Sequence, residues 1–129
     1  MTAAHPKRLI SACAIGAAAL VAIPATAAKD GDVLVRGACT KVSTSKLKLS
    51  EEDGRIEVEF EVDQNRNGVR WTVVLRRPST VLVRTTRVTR PPSGSFELRR
   101  VVADLAGRDR ITARATAPAG EVCRATAAF

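Results

Sequence analysis

Hydrophobic and polar positions alternate along most of this chain. The stretch Arg55 to Val62 (RIEVEFEV) is the clearest case: Ile56, Val58, Phe60 and Val62 fall on one side, Glu57, Glu59 and Glu61 on the other. That two-residue period belongs to a half-buried β-strand. It recurs at Asp32 to Cys39, Ser45 to Ser50, Val69 to Arg77, Thr80 to Thr89, Ser95 to Val101, Arg110 to Thr116 and Glu121 to Phe129. Alternation slips near Thr85-Thr86, which predicts a bulge there. Residues 50–54, 63–68, 90–94 and 117–120 are rich in turn formers and separate the runs. Val101 to Gly107 has the composition of a short helical turn.

Eight such runs in about 100 residues predict an all-β fold, an antiparallel two-sheet immunoglobulin-like sandwich of seven to eight short strands. A small closed β-barrel is the alternative. Pairing Arg55–Val62 with Val69–Arg77 as a hairpin would set Glu61 opposite Arg70, or Glu57 opposite Arg76. Strands carrying Arg84, Arg99 or Arg114 are the other candidates to flank the same acids.

The first residues break this pattern. Lys7 and Arg8 precede an uncharged apolar run from Leu9 to Ile23, followed by Pro24 and Ala25-Thr26-Ala27. This is the three-part layout of a secretory signal peptide over residues 1–27, cut after Ala27 or, second, after Ala28. The run is too short and too alanine-rich to favour a membrane-spanning helix. The exported domain, residues 28–129, then carries 19 bases against 13 acids, a net charge of +6. It is expected outside the cytoplasm, secreted or at the cell surface, as a monomer.

Removing His5 with the leader leaves no histidine. Serine–histidine and cysteine–histidine nucleophile pairs are therefore closed, and the commonest zinc ligand is missing. No cofactor is expected. Cys13 leaves with the leader too, so Cys39 and Cys123 remain, and an even count in a small exported domain favours a disulfide. Closing so long a loop is worth about 4.5 kcal/mol at most in the chain-entropy treatment.

Two acidic features invite a chemical reading. Alternate glutamates on one strand lie about 6.6–7 Å apart, a separation inverting glycosidases use, but a solvated strand flanked by arginines lacks the apolar pocket that splits the pKa values of an acid–base pair. Asp63-x-Asn65-x-Asn67-Gly68 matches the first half of a calcium loop. Its second half fails, because Val74 stands where the bidentate glutamate belongs and Arg66 lies inside the loop; the segment reads otherwise as a hairpin turn, with Asn67-Gly68 suited to positive φ.

Arginine is spread through the second half of the chain, and only Arg76-Arg77 and Arg99-Arg100 form doublets. Guanidinium pairs in bidentate fashion with phosphate and carboxylate, so these four are the candidate anion-binding residues, with an anionic cell-wall polymer as the expected partner. Nucleic acid is disfavoured, because one Trp and three Phe offer little base stacking.

The phrases GRIEVEFEVDQNRNGVRWTV and GEVCRATAAF resemble small exported actinobacterial proteins, over most of residues 39–129. The resemblance implies an immunoglobulin-like sandwich and carries no functional residues. Fifteen exported arginines against four lysines fit a high-GC genome. The reading is a secreted, non-enzymatic β-sandwich module that binds surfaces or serves as a structural envelope component. The alternative is an inhibitor of an extracellular enzyme, with the Arg90–Ser95 loop, stiffened by Pro91-Pro92, entering a cleft.

Overall fold

A computed structural model describes residues 31–129; the leader expected over residues 1–27 lies outside them. Nine strands are formed among the described residues: β1 (Val33–Arg36), β2 (Ala38–Cys39), β3 (Thr44–Glu52), β4 (Arg55–Asp63), β5 (Arg70–Arg77), β6 (Thr80–Val88), β7 (Ser95–Ala103), β8 (Arg110–Thr116) and β9 (Val122–Ala128). They build a four-stranded sheet, β1-β3-β4-β7, and a five-stranded sheet, β2-β9-β8-β5-β6, antiparallel throughout. The sheets are two separate layers, so the architecture is the sandwich and not the closed barrel.

Every stretch picked out by alternation becomes a strand. The first is divided at Gly37, where the chain leaves one sheet for the other. Gly37 donates its N–H to the Ser45 carbonyl at 2.9 Å, and any side chain there would run into Ser45 Oγ and the Arg124 carbonyl. Only glycine lets the backbone pass.

The inner faces differ in size. From the four-stranded sheet come Leu47, Leu49, Ile56, Val58, Phe60, Val62 and Leu98, all fully buried. From the five-stranded sheet, β5 brings Trp71, Val73 and Leu75, but β8 and β9 bring mostly Ala113, Ala115, Ala125 and Ala127. Close packing requires large side chains to meet small ones. Trp71 keeps its indole N–H satisfied by Gln64 Oε1 at 3.0 Å and lies tilted against Phe96, ring centres 6.0 Å apart. At the edge of the alanine-rich sheet, Cys39 and Cys123 face each other in register and form the disulfide, their Cα atoms 4.0 Å apart. The bridge joins the first part of the domain to the last across 84 positions.

Four local expectations are corrected. Strands β4 and β5 do not form a hairpin: β4 sits between β3 and β7, and β5 between β6 and β8. Residues 64–69 therefore carry the chain from sheet to sheet. Alternation dictates which face of a strand is buried, not which strand lies beside it. Within that crossover the left-handed non-glycine residue is Asn65 (φ 54°) rather than Asn67, alongside Gly68 (φ 79°). The bulge lies at Leu82, skipped where Leu75 pairs with Val83 and Arg76 with Val81, while Thr85 and Thr86 pair regularly with Val73 and Thr72. Finally, no helical turn follows Val101, because β7 runs on to Ala103 against Arg55.

Candidate anion-binding surface

On the outer face of the four-stranded sheet three bases meet three acids across the strands. Glu61 stands opposite Lys46 with their charges 3.5 Å apart, and Glu59 opposite Lys48, also 3.5 Å apart. Lys48 reaches Asp32 as well, at 3.3 Å. That hydrogen bond to Asp32, followed by the Asp32 and Glu59 charges, raises the Lys48 pKa above its ordinary 10.5. Glu57 is covered by Arg99, whose guanidinium bonds its carboxylate directly, and the contact raises the Arg99 pKa further. Although Glu57 belongs to the outward set, it is only 6% exposed. The three glutamates are thus sheet complements, held by bases on both neighbouring strands, and the hairpin registers with Arg70 or Arg76 do not occur.

Strand by strand, the two sheets have opposite charge budgets. The four strands of the first sheet contain seven carboxylates and six bases. The five strands of the second contain eight arginines, no lysine and no carboxylate. Because Trp71, Val73, Leu75, Ile111, Ala113, Cys123 and Ala125 point inward, register puts Arg70, Arg76, Arg84, Arg110, Arg114 and Arg124 on the outer face. All six are exposed. Among the described residues no ion pair involves any of them.

Their arrangement follows from the register. Arg84, Val74, Arg114 and Arg124 form one row across β6, β5, β8 and β9. Adjacent strands are about 4.8 Å apart and same-face neighbours along a strand about 6.6–7 Å. Arg114 and Arg124 are direct cross-strand partners, a like-charge placement that costs roughly 0.2–1 kcal/mol. Threonines fill the intervening positions: Thr72, Thr86, Thr112, Thr116 and Thr126. Thr112 and Thr126 share a hydrogen bond, their Oγ1 atoms 3.0 Å apart. A shallow depression of about 330 Å³ is lined by Arg76, Arg110, Thr112, Arg124 and Thr126, with Arg77 and Pro78 at its border.

The four arginines singled out by doublets do not gather. Arg76 lies on this face. Arg77, its neighbour, turns the other way and is spent on a structural network: its Nε donates to Asp109 Oδ1 at 3.1 Å, and its terminal nitrogen donates to the Ala103 carbonyl. Asp109 Oδ2 accepts from the Leu105 N–H at 2.8 Å, so the pair holds the 104–109 connection. Arg99 is on the opposite sheet, paired with Glu57. Arg100 occupies an inward position of the edge strand β7, opposite Val58, yet is exposed at the rim and bonds the Arg99 carbonyl at 3.0 Å. A cation turned inward on an edge strand discourages another strand from docking there. Arg87 on the edge strand β6 stands likewise in an inward position, opposite Trp71.

Asp63 ends β4, and Asn65 and Asn67 follow in the 64–69 crossover; Asp63 Oδ1 accepts the Asn65 N–H at 3.0 Å, closing an Asx turn. The loop is also bound by Gln64 N–H to the Gly94 carbonyl (3.0 Å) and Gly68 N–H to the Thr89 carbonyl (2.8 Å). It is a tied crossover whose nearest carboxylate in sequence, Asp63, is engaged in that turn.

Larger hollows, of about 650 and 610 Å³, lie at the end of the sandwich bearing loops 40–43, 64–69, 89–94 and 117–121. Each brings its own acids: Asp63 and Glu121 beside Lys41 and Arg66 in the first, Glu61 and Glu97 beside Arg87 and Arg90 in the second. Glu121 is engaged by Ser43, accepting from its N–H (3.1 Å) and Oγ (2.6 Å). Size therefore does not coincide with the acid-free lining of the arginine depression.

Doublets were the wrong signal because neighbours in a strand face opposite ways. Arg124 belongs to no doublet, yet stands beside Arg114 on the face. The usable signal is absence: no Asp or Glu occurs between Asp63 and Glu97, the span that contains β5 and β6. No family model and no curated protein matches this chain.

Proposed function

We propose that the protein is an exported, non-enzymatic module that binds an anionic polymer outside the cell through the outer face of its five-stranded sheet. The observation that carries this reading is the acid-free array of six exposed arginines on that face, beside a sheet of the same molecule in which Lys46, Lys48 and Arg99 are paired with Glu61, Glu59 and Glu57. A merely soluble surface mixes its signs. An unneutralised face with two arginines directly opposed costs stability, and an external polyanion would supply the missing countercharge.

Export is supported by the leader-like first residues and by the disulfide, a bond at home in oxidising compartments. Nucleic acid is the poorer partner: Trp71, Phe60, Phe96 and Phe129 are all buried, leaving no aromatic platform on which bases would stack. The test is retention of the exported protein on an immobilised polyanion, released by salt. Retention lost in Arg84→Gln/Arg114→Gln/Arg124→Gln and kept in Arg99→Gln supports this face; equal loss in both, or no retention of the parent, overturns it.

A second reading, inhibition of an extracellular enzyme, draws on the Arg90–Ser95 loop. Its base is closed by Arg90 N–H to the Ser95 carbonyl and Gly94 N–H to the Arg90 carbonyl, both 2.9 Å, while residues 90–93 are exposed. Such a loop loses little entropy on entering a cleft. Stoichiometric, salt-resistant capture of one extracellular hydrolase, abolished by Pro91→Gly/Pro92→Gly, is its test.

A further inference from the structure

The depression on the arginine face has a more specific chemistry than its charge alone. Its floor is the Thr112–Thr126 pair, two hydroxyls 3.0 Å apart on neighbouring strands. Three arginines surround that pair on three sides. Arg76 is the cross-strand partner of Thr112, Arg110 lies two residues before Thr112 on β8, and Arg124 lies two residues before Thr126 on β9. Each guanidinium therefore starts from a Cα within about 5–7 Å of one of the two threonines. No carboxylate lines the hollow, and the one arginine at its border with an acidic partner, Arg77, is turned to Asp109.

We infer that this depression is a subsite for a tetrahedral oxyanion, a phosphate or sulfate ester carried by the polymer. A carboxylate is planar, and a single guanidinium fork engages both of its oxygens. Donors that converge from three sides and from below are more than it can use. A phosphate or sulfate ester presents two or three charged oxygens in different directions, one for each approach. The threonine pair adds the contact from below. Its two hydroxyls hold two protons, and one is consumed between them, so the other is left to donate to an oxygen that settles into the hollow.

This inference rests on the arginine face being the binding surface, and the experiment separates the two. The exported protein is titrated at one ionic strength with inorganic polyphosphate, dextran sulfate and polygalacturonate, each expressed per charge. Polyphosphate and dextran sulfate bind roughly tenfold tighter than polygalacturonate, the worth of about one charge-assisted hydrogen bond. Thr112→Val/Thr126→Val, a shape-preserving change on strands, brings the three affinities together by weakening only the tetrahedral polymers. Preference for polyphosphate alone or dextran sulfate alone still supports the subsite and tells which ester it takes. Equal binding of all three in the parent, or a preference untouched by the double threonine substitution, overturns the subsite and leaves the face. Failure of every polymer to bind at low salt overturns both, as does binding confined to vesicles of anionic lipid.

Discussion

The two outer faces of this sandwich are built on the same strand period and solve the problem of surface charge in opposite ways. On β3, β4 and β7 the acids stand beside bases, Lys46 by Glu61, Lys48 by Glu59, Arg99 by Glu57. On β9, β8, β5 and β6 arginine and threonine alternate with no acid among them. On the first face Lys46, Lys48 and Arg99 have acidic partners within the molecule. On the second, no outward arginine has an ion-pair partner among the described residues. Their difference teaches that net charge, +8 for the whole chain, is a poor guide to binding. What matters is how sequence distributes acids among strands that end up in one layer.

The faces differ beneath the surface too, and the largest expected effect breaks the comparison at that level. Much of the arginine sheet's inner side is alanine, which contributes little apolar area per residue. The disulfide sits in this sheet, between β2 and β9. Cys39→Ala/Cys123→Ala is expected to cost about 2–5 kcal/mol, read as a fall in urea midpoint. The β2–β9 edge should lose hydrogen-exchange protection first, while β3–β4–β7 keeps its own. Uniform loss over both sheets would mean that the bridge does not serve one layer in particular.

Next in size is a loss of binding without loss of fold. Each basic residue near an anionic surface is worth about 1 kcal/mol, so Arg84→Gln/Arg114→Gln/Arg124→Gln is expected to weaken polyanion binding about 100-fold. Lys46→Gln/Lys48→Gln on the other face should leave it within about twofold. Isothermal titration against polyphosphate measures both.

A smaller effect sharpens the contrast because its sign differs between faces. Arg114 and Arg124 oppose each other directly, so Arg114→Thr should raise stability by roughly 0.2–1 kcal/mol. Lys46→Thr removes the cation paired with Glu61, which stands opposite Glu97, and should lower stability by a similar, small amount. Paired denaturation curves settle it. Stabilisation in both would remove the idea that one face is self-matched.

How much of this was legible beforehand follows from what alternation encodes. Ile56, Val58, Phe60 and Val62 announce a strand and its buried side, and β3 to β9 appear near their expected bounds. Neighbour identity is not written in a strand's own residues, so alternation leaves the glutamates' partners open between β5 and the other arginine-bearing strands. Their true partners, on β3 and β7, are a hairpin and a sheet crossing away. Gly37 looked like one more residue of a single first strand, although the absence of a side chain is what allows the change of sheet. The candidate site was harder still. Arg76-Arg77 and Arg99-Arg100 are visible as doublets, but a pleated strand sends the two members apart, and Arg70, Arg114 and Arg124 converge only through register.

The smallest effect isolates one face by titration. Lys48 has its pKa raised by Asp32, first through their hydrogen bond and then through charge, and by Glu59. A base whose folded pKa exceeds its unfolded value lends stability that is fully present below the unfolded value, here about 10.5, and is lost as pH climbs through the folded one. The loss must therefore fall in strongly alkaline solution, and it belongs to the self-matched face alone, since the opposite face carries only arginines, which stay charged there. Between pH 9 and pH 11.5 the parent protein should lose slightly more thermal stability than Lys48→Arg, whose cation keeps its charge beside Asp32 and Glu59. Polyphosphate affinity should stay level over the same interval in both proteins. If the affinity fell with the lysine titration, lysines would be carrying the binding, and the division of labour between the two faces would be lost.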